Sequence, residues 1–364
     1  MRPPRGVLDP LIVGILAAAV SLTGAARPSF WYDEAATISA SYSRSLGQLW
    51  HMLGNVDAAH GLYYLLMHGW FQLFPPTEFW SRVPSGLAVG AAAAGVVVLA
   101  KQFSSRTVAL SAGVICGILP RATWAGIEAR PAAVWLTVLL VYATRRNNAW
   151  VWLSYGIVLT ISMLLDIYLS LLVLGYALFI VLFRRTRTVM VGFTIASFLA
   201  GCAVIPLVLT AIGQEHQIIW IAPIGHRTIE DVAIQQYFER SPPFTLVSAL
   251  VVVAAIVLWL CTSRRLAQVD RQLLTLSIAW LVIPTTLILG WSALVHPIYT
   301  PRYLCFTAPA VALVLGVCIG TLAVKPWLAA AIVGVMALAT DPITFSYNAV
   351  RTRNTEWITA RSPT

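Results

Sequence analysis

The sequence predicts an all-α, polytopic transmembrane helical bundle, and three observations carry that prediction. Of its 364 residues 59% are hydrophobic and only 10% are charged, with a mean hydropathy of +0.80; soluble domains carry about 25% charged residues. Apolar windows that approach the length needed to cross about 30 Å of hydrocarbon recur along the chain, separated by short polar clusters. A soluble helical protein of this length would instead show polar faces at the helical period. The basic clusters, finally, fall in alternate connections between those windows.

About eleven spans are expected by hydropathy, near 8–26, 82–100, 107–120, 131–144, 150–165, 167–183, 189–212, 244–262, 272–294, 303–323 and 327–340. The shorter windows should extend into flanking polar residues or sit partly buried in the bundle. Residues 1–340 thus form one transmembrane domain, with a long first extracytoplasmic loop over 27–81, a second over 213–243, and a short extracytoplasmic tail over 341–364. Loops of such length usually have a function. The first loop should carry amphipathic interfacial helices, because "NVDAAHGLYYLLMHGWFQLF" (55–74) repeats apolar and aromatic residues at helical spacing. The N-terminus also has the shape of a signal peptide, with Arg2 and Arg5, an apolar core and a small-residue "TGAA" end. An uncleaved first helix reads equally well, and either way residue 33 lies outside.

Orientation follows from Arg2/Arg5, Lys101/Arg106, Arg145/Arg146, Arg184/Arg185/Arg187, Arg264/Arg265/Arg271 and Lys325, which mark the cytoplasmic side. Those clusters hold 13 of the 24 basic residues but only Asp9 and Asp270 of the 14 acidic ones, leaving 11 basic and 12 acidic residues for the opposite side. The formal net charge of +10 is therefore a topological signal and not a nucleic-acid footprint. A multi-pass protein of the plasma (inner) membrane is expected, with a cytoplasmic N-terminus. The five cysteines lie in or beside apolar windows without CxxC spacing, so neither a disulfide framework nor a metal site is indicated.

The extracytoplasmic polar residues need another explanation. Asp33 and Glu34 follow the first span behind Trp31 and Tyr32. Adjacent residues on a helix point about 100° apart, so one carboxylate can face a cavity while the other holds a partner; a solvated helix start is the plainer reading. Asp57, His60 and Tyr63/Tyr64 could form the wall of a cavity roofed by the 55–74 helix. "WAGIEARPAAVW" puts Glu128 and Arg130 at the mouth of the fourth span, and "HPIYTPRYLCF" puts His296, Tyr299, Arg302 and Tyr303 at the mouth of the tenth. Ionisable residues at such depth are costly unless paired or facing a cavity, and two arginines flanked by tyrosines suggest a phosphate clamp. Asp166 sits between the fifth and sixth spans, as a tight turn or a ligand contact.

Taken in order, "WYDEA", "DAAHGLYYLLMH" with "EFWSRVPS", "EARP" and "PRYLCFTAPAVALVLG" resemble the GT-C superfamily of membrane glycosyltransferases. The similarity is to the branch that holds bacterial family-39-type enzymes, protein O-mannosyltransferases and the lipid A aminoarabinose transferase. It covers residues 25 to 320 or so. The resemblance implies a polyprenyl-phosphate sugar donor used on the outer face, with Asp33 as catalytic base and Glu34 as its supporting neighbour. It further implies donor-phosphate contacts at Arg302 and Tyr303, with Arg130 and His60 as further candidates, and no cofactor or metal. Asp57, Tyr63, Glu128, Asp166, His296 and Tyr299 complete the expected substrate cavity. Membrane lipid and a glycolipid, polysaccharide or protein acceptor are the partners. A lipid phosphate is already a good leaving group, so the second, acidic carboxyl of glycosidases is unnecessary. The competing expectation is a multispan transporter or lipid flippase, which should place ionisable groups near the bilayer midplane and often shows repeated halves. A scaffold without catalysis is a third.

Overall fold

The computed structural model describes residues 5–27, 29–30, 32–120, 129–238, 241–262 and 268–340; Trp31, Glu128 and the tail 341–364 lie outside the described residues. Among the described residues the protein is all-helical, without a strand. Helices α1 (Arg5–Leu22), α2 (Tyr32–Ser41), α3 (Leu46–Leu53) and α4 (Gly61–Phe71) come first. They are followed by α5 (Glu78–Lys101), α6 (Arg106–Ile118), α7 (Ala129–Arg146), α8 (Ala149–Leu165), α9 (Leu172–Phe183) and α10 (Arg187–Gly213). The short turns α11 (Arg227–Glu230) and α12 (Gln236–Phe238) flank a π-helical segment Asp231–Gln235, and α13 (Pro242–Thr262), α14 (Gln268–Leu294), α15 (Ala308–Leu322) and α16 (Pro326–Ala339) complete the chain.

Among the described residues five helical segments are long and apolar enough to cross a membrane: Glu78–Lys101, Arg187–Gly213, Pro242–Thr262, Asp270–Leu294 and Pro301–Leu322. They divide into central and peripheral members. The last of these buries 78% of its apolar window inside the protein, whereas Arg187–Gly213 buries only 17% and turns Ile195, Phe198, Leu199 and Leu209 outward. A helix apolar on its outward face suits a lipid surround and not water. Five other apolar helices, among them α6, α8 and α16, are shorter.

Small residues pull α1, α5, α6 and α15 into close contact. A Cβ built on Gly90 of α5 would lie 2.6 Å from the Gly14 carbonyl oxygen of α1, and one on Gly316 of α15 would lie 2.7 Å from Ala112 Cβ of α6. Only glycine allows those backbones to approach so closely. This tight group anchors two segments of the other end, because α1 leads into the Asp33 segment and α15 follows directly on the Arg302 segment.

Proline sets free several helix carbonyls, and each of three is taken by a side chain. Pro10 cannot bond the Gly6 carbonyl, which accepts from Lys101 Nζ at 3.4 Å. Pro84 leaves the Trp80 carbonyl to the Trp70 indole N–H at 2.9 Å. Pro309 cannot bond the Cys305 carbonyl, which accepts from Arg130 Nε at 3.2 Å beside the Ala308 N–H.

At the end of the bundle that carries the basic clusters, Asp9 accepts from Lys101 Nζ at 2.7 Å and from the Arg106 guanidinium at 2.8 and 2.7 Å, and Ser104 donates to Asp270. The two predicted acidic exceptions among those clusters are thus both satisfied locally. The long connections lie at the other end. The first of them, expected over 27–81, begins earlier: α1 stops at Leu22 because Thr23–Ala26 turn, with Gly24 at a φ of 79° that favours glycine. It contains three helices. Tyr64, Met67 and Phe71 form the buried face of α4, while Leu65 and Leu66 point outward.

Candidate functional site

The turn after α1 returns the chain over α5, where one arginine gathers it. Arg82 is buried. It donates Nη1 to the Ala25 carbonyl at 2.6 Å and Nη2 to the Ser29 carbonyl at 3.4 Å, and its Nε and Nη2 form a two-pronged bond to the Glu34 carboxylate at 2.6 and 2.7 Å. The guanidinium also stands 6.0 Å from the Phe30 ring centroid. Three points of one short segment are therefore tied to α5, and Glu34 is directed inward. On a helix that turns its neighbour Asp33 away from this contact, toward the opening.

Asp33 meets Arg302, which is 269 positions away in the chain. Arg302 Nη1 donates to Asp33 Oδ2 at 3.1 Å, with the arginine side chain 34% and the aspartate 44% exposed. Arg302 belongs to a 3-10 turn, Pro301–Thr307, that leads into α15. Aromatic rings bracket its guanidinium: the Trp220 centroid lies 4.9 Å away and the Tyr303 centroid 5.6 Å away. The Arg302 Nε is buried and has no hydrogen-bond partner among the described residues. Tyr303 stacks on Tyr168, with centroids 5.3 Å apart and an interplanar angle of 23°. Below Tyr168, Asp166 ends α8 and accepts from the Tyr168 backbone N–H at 2.9 Å.

The first loop supplies the opposite wall. Asp57 sits at a φ of 57°, a left-handed conformation that aspartate tolerates better than most residues, and accepts from the Tyr64 hydroxyl at 3.2 Å. Burial, followed by the carboxylates of Asp57 and Asp33, pushes the Tyr64 hydroxyl above its ordinary range, so it remains a protonated donor. Two glutamines after α10 hold this wall in place. Gln214 Oε1 accepts from the Ala58 N–H at 2.9 Å and its Nε2 donates to the Leu53 carbonyl at 3.0 Å, while Gln217 Oε1 accepts from the Asp57 N–H at 3.3 Å.

The residues singled out in the sequence therefore divide. Asp33, Arg302 and Tyr303 meet directly at a partly exposed point, Asp166 lies close enough to act on Tyr303, and Asp57 is linked to them through the Tyr64 hydroxyl. Tyr63 and His60 lie beside Tyr64, at ring distances of 6.4 and 6.0 Å, with His60 exposed. Glu34 supports the opening through Arg82. Arg130 lies inside the bundle at 2% exposure, beneath the Arg302 turn, where it binds the Cys305 carbonyl. Tyr299 is buried and donates to Gln236 Oε1 at 3.1 Å, within a cluster that includes Thr285; this joins the second loop to α14. His296 meets the carbonyl of its neighbour Pro297 through Nδ1 at 3.1 Å. Glu128 is outside the described residues.

Sequence reasoning gave no role to Arg82, Tyr168, Gln214, Gln217 or Trp220. Arg82 was visible as the one cation in "EFWSRVPS", in a helix whose apolar surroundings require a partner for it. Trp220 carries no local signal, because its significance is its position over Arg302. Among the described residues no group of three or more His, Cys, Asp or Glu side chains could hold a metal ion. Neither a protein-family model nor a curated protein matches the chain.

Proposed function

We propose that the protein is a membrane glycosyltransferase of GT-C type, moving a sugar from a polyprenyl-phosphate donor to an acceptor hydroxyl on the extracytoplasmic face, with inversion at the anomeric carbon. The observation that carries this reading is the half-exposed Asp33–Arg302 pair, a carboxylate and a guanidinium side by side at the end of the bundle opposite the basic clusters. In this reading about eleven helices cross the membrane, and the long connections form the extracytoplasmic roof.

Such a transfer asks two things of a protein. The acceptor O–H must lose its proton as its oxygen bonds to the anomeric carbon, and the bond from that carbon to the phosphate oxygen must break with its electron pair passing to the phosphate. Asp33 takes the proton. Arg302 neutralises the charge that grows on the departing phosphate, with the Tyr303 hydroxyl as an additional donor. Arg302 suits the phosphate because a guanidinium can give two parallel N–H bonds to its oxygens. Arg130, from inside the bundle, holds the turn that presents Arg302. Placing both groups on elements joined to the close-packed α1, α5, α6 and α15 group gives the fixed geometry that an in-line displacement requires.

The test is transfer from a panel of radiolabelled polyprenyl-phosphate sugars by purified protein, with wild type beside Asp33→Asn. Label reaching an acceptor or water only with wild type is the expected result, and it names the donor. Equal transfer by both proteins removes Asp33 from its role. Labelled lipid crossing the bilayer equally in both, without transfer, replaces this reading with a lipid transporter.

A further inference from the structure

The same opening has a feature that catalysis alone does not require: the proposed base and the proposed phosphate ligand are bonded to each other. We propose that the Asp33–Arg302 ion pair is a latch that the donor phosphate opens, so that Arg302 is handed from Asp33 to the phosphate and the carboxylate becomes free to act only once the donor is seated. This rests on the glycosyltransferase reading and adds an order to it, donor before acceptor deprotonation.

The geometry favours exchange. A single bond of 3.1 Å joins the two side chains, although two-pronged binding is open to any arginine–carboxylate pair. Both partners are partly in contact with solvent, and such pairs contribute little to stability. Arg302 also keeps an Nε without a hydrogen-bond partner among the described residues, so its donors are not saturated by the pair with Asp33. Trp220 and Tyr303 hold the guanidinium by ring contact, so the arginine can change anions without leaving its place. Asp33, for its part, stays located when released. Its helix is fixed one residue further on by Glu34 and Arg82, and its own carbonyl accepts from Thr37 at 2.9 Å.

A latch of this kind makes Asp33 an antagonist of phosphate binding as well as a base. Removing its charge should tighten the hold on a lipid phosphate that carries no sugar, and on which no chemistry can occur. The experiment is equilibrium binding of a polyprenyl monophosphate to the full-length protein in detergent, with uncharged polyprenol as the control ligand. Wild type, Asp33→Asn, Glu215→Gln and Asp33→Asn/Arg302→Gln are compared. Asp33→Asn should bind the monophosphate about fivefold more tightly than wild type, which is about 1 kcal/mol, the upper range for an exposed ion pair. Glu215→Gln removes an exposed carboxylate from the turn that follows α10, on the same connection as Trp220, and should leave affinity within twofold or so. The double variant should lose the gain.

Equal affinities for wild type and Asp33→Asn overturn the latch and leave the glycosyltransferase reading standing. An equal gain from Glu215→Gln also overturns it, since general charge repulsion then accounts for the effect. If no form distinguishes the monophosphate from polyprenol, the phosphate site itself is absent and both proposals fall.

Discussion

Two carboxylate–arginine pairs stand side by side in this protein, and they are built for opposite purposes. Glu34 and Arg82 are joined by two bonds of 2.6 and 2.7 Å, with side-chain exposures of 19% and 6%, and Arg82 takes two backbone carbonyls as well. Asp33 and Arg302 share one bond of 3.1 Å at 44% and 34% exposure. The residues differ by one position in the chain and by about 100° around a helix, yet one pair is a fastening and the other an opening. The difference shows how a helix start can fix one carboxylate and present the next: Glu34 is held by the buried arginine, and Asp33 is aimed by that fixing.

If the pairs have these purposes, their variants should separate cleanly. Asp33→Asn should lower transfer by roughly a thousandfold, within the range expected for loss of a general base, while its thermal midpoint in detergent stays within a degree or two of wild type. Arg82→Met should do the reverse in its primary effect. It strands a largely buried carboxylate, at a cost of about 3 kcal/mol in stability, and the thermal midpoint should fall accordingly. Combining Arg82→Met with Glu34→Leu should restore most of that stability, since replacing both charges by apolar groups is often close to neutral. Activity should remain low in the double variant, because the two carbonyl contacts to Ala25 and Ser29 are still missing. Full activity there would mean that the Arg82 contacts do not position Asp33.

How much of this was legible in the sequence follows from which interactions are local. Apolar windows mark the helices, since each is a property of consecutive residues, and that Asp33 and Glu34 point to different partners follows from helical geometry alone. The partners did not follow. Glu34 finds Arg82 across 48 positions and Asp33 finds Arg302 across 269, and no periodicity encodes such a pairing. Arg130 is instructive in another way. At the mouth of a helix it reads as a ligand contact; in the fold its Nε donates to the Cys305 carbonyl, which the ring of Pro309 cannot bond and which also accepts from the Ala308 N–H. The arginine was visible, and so was the proline; that they meet depends on how α7 and α15 pack.

Arg302 offers a sharper division between holding and reacting. Arg302→Lys keeps the charge but loses the planar fork, and should reduce transfer by about thirtyfold, in line with loss of about 2 kcal/mol of phosphate stabilisation in the transition state. Stability should barely change, because a half-exposed ion pair is worth at most about 1 kcal/mol. Parallel measurement of steady-state rates and thermal midpoints checks both halves of that statement, and a large fall in the midpoint would place Arg302 with Arg82 among the fastenings.

The smallest expected effect tests whether the two long connections act as one wall. Gln214 joins them with both ends of its amide, accepting from Ala58 and donating to Leu53. Gln214→Ala removes its two neutral hydrogen bonds to the first loop at a largely buried position, each worth about 1 kcal/mol. The loss should be local, because the close-packed α1, α5, α6 and α15 group does not depend on this contact. Hydrogen exchange should therefore quicken at the amides of residues 53–60 and not along α5 or α15. Since Asp57 and Tyr64 face Asp33 from this segment, a loosened wall should weaken substrate binding more than it slows the chemical step, raising KM with kcat nearly constant. If exchange quickens throughout the bundle instead, the glutamine contact belongs to the core, and the first loop cannot be treated as a separate wall set against the fixed pair beside it.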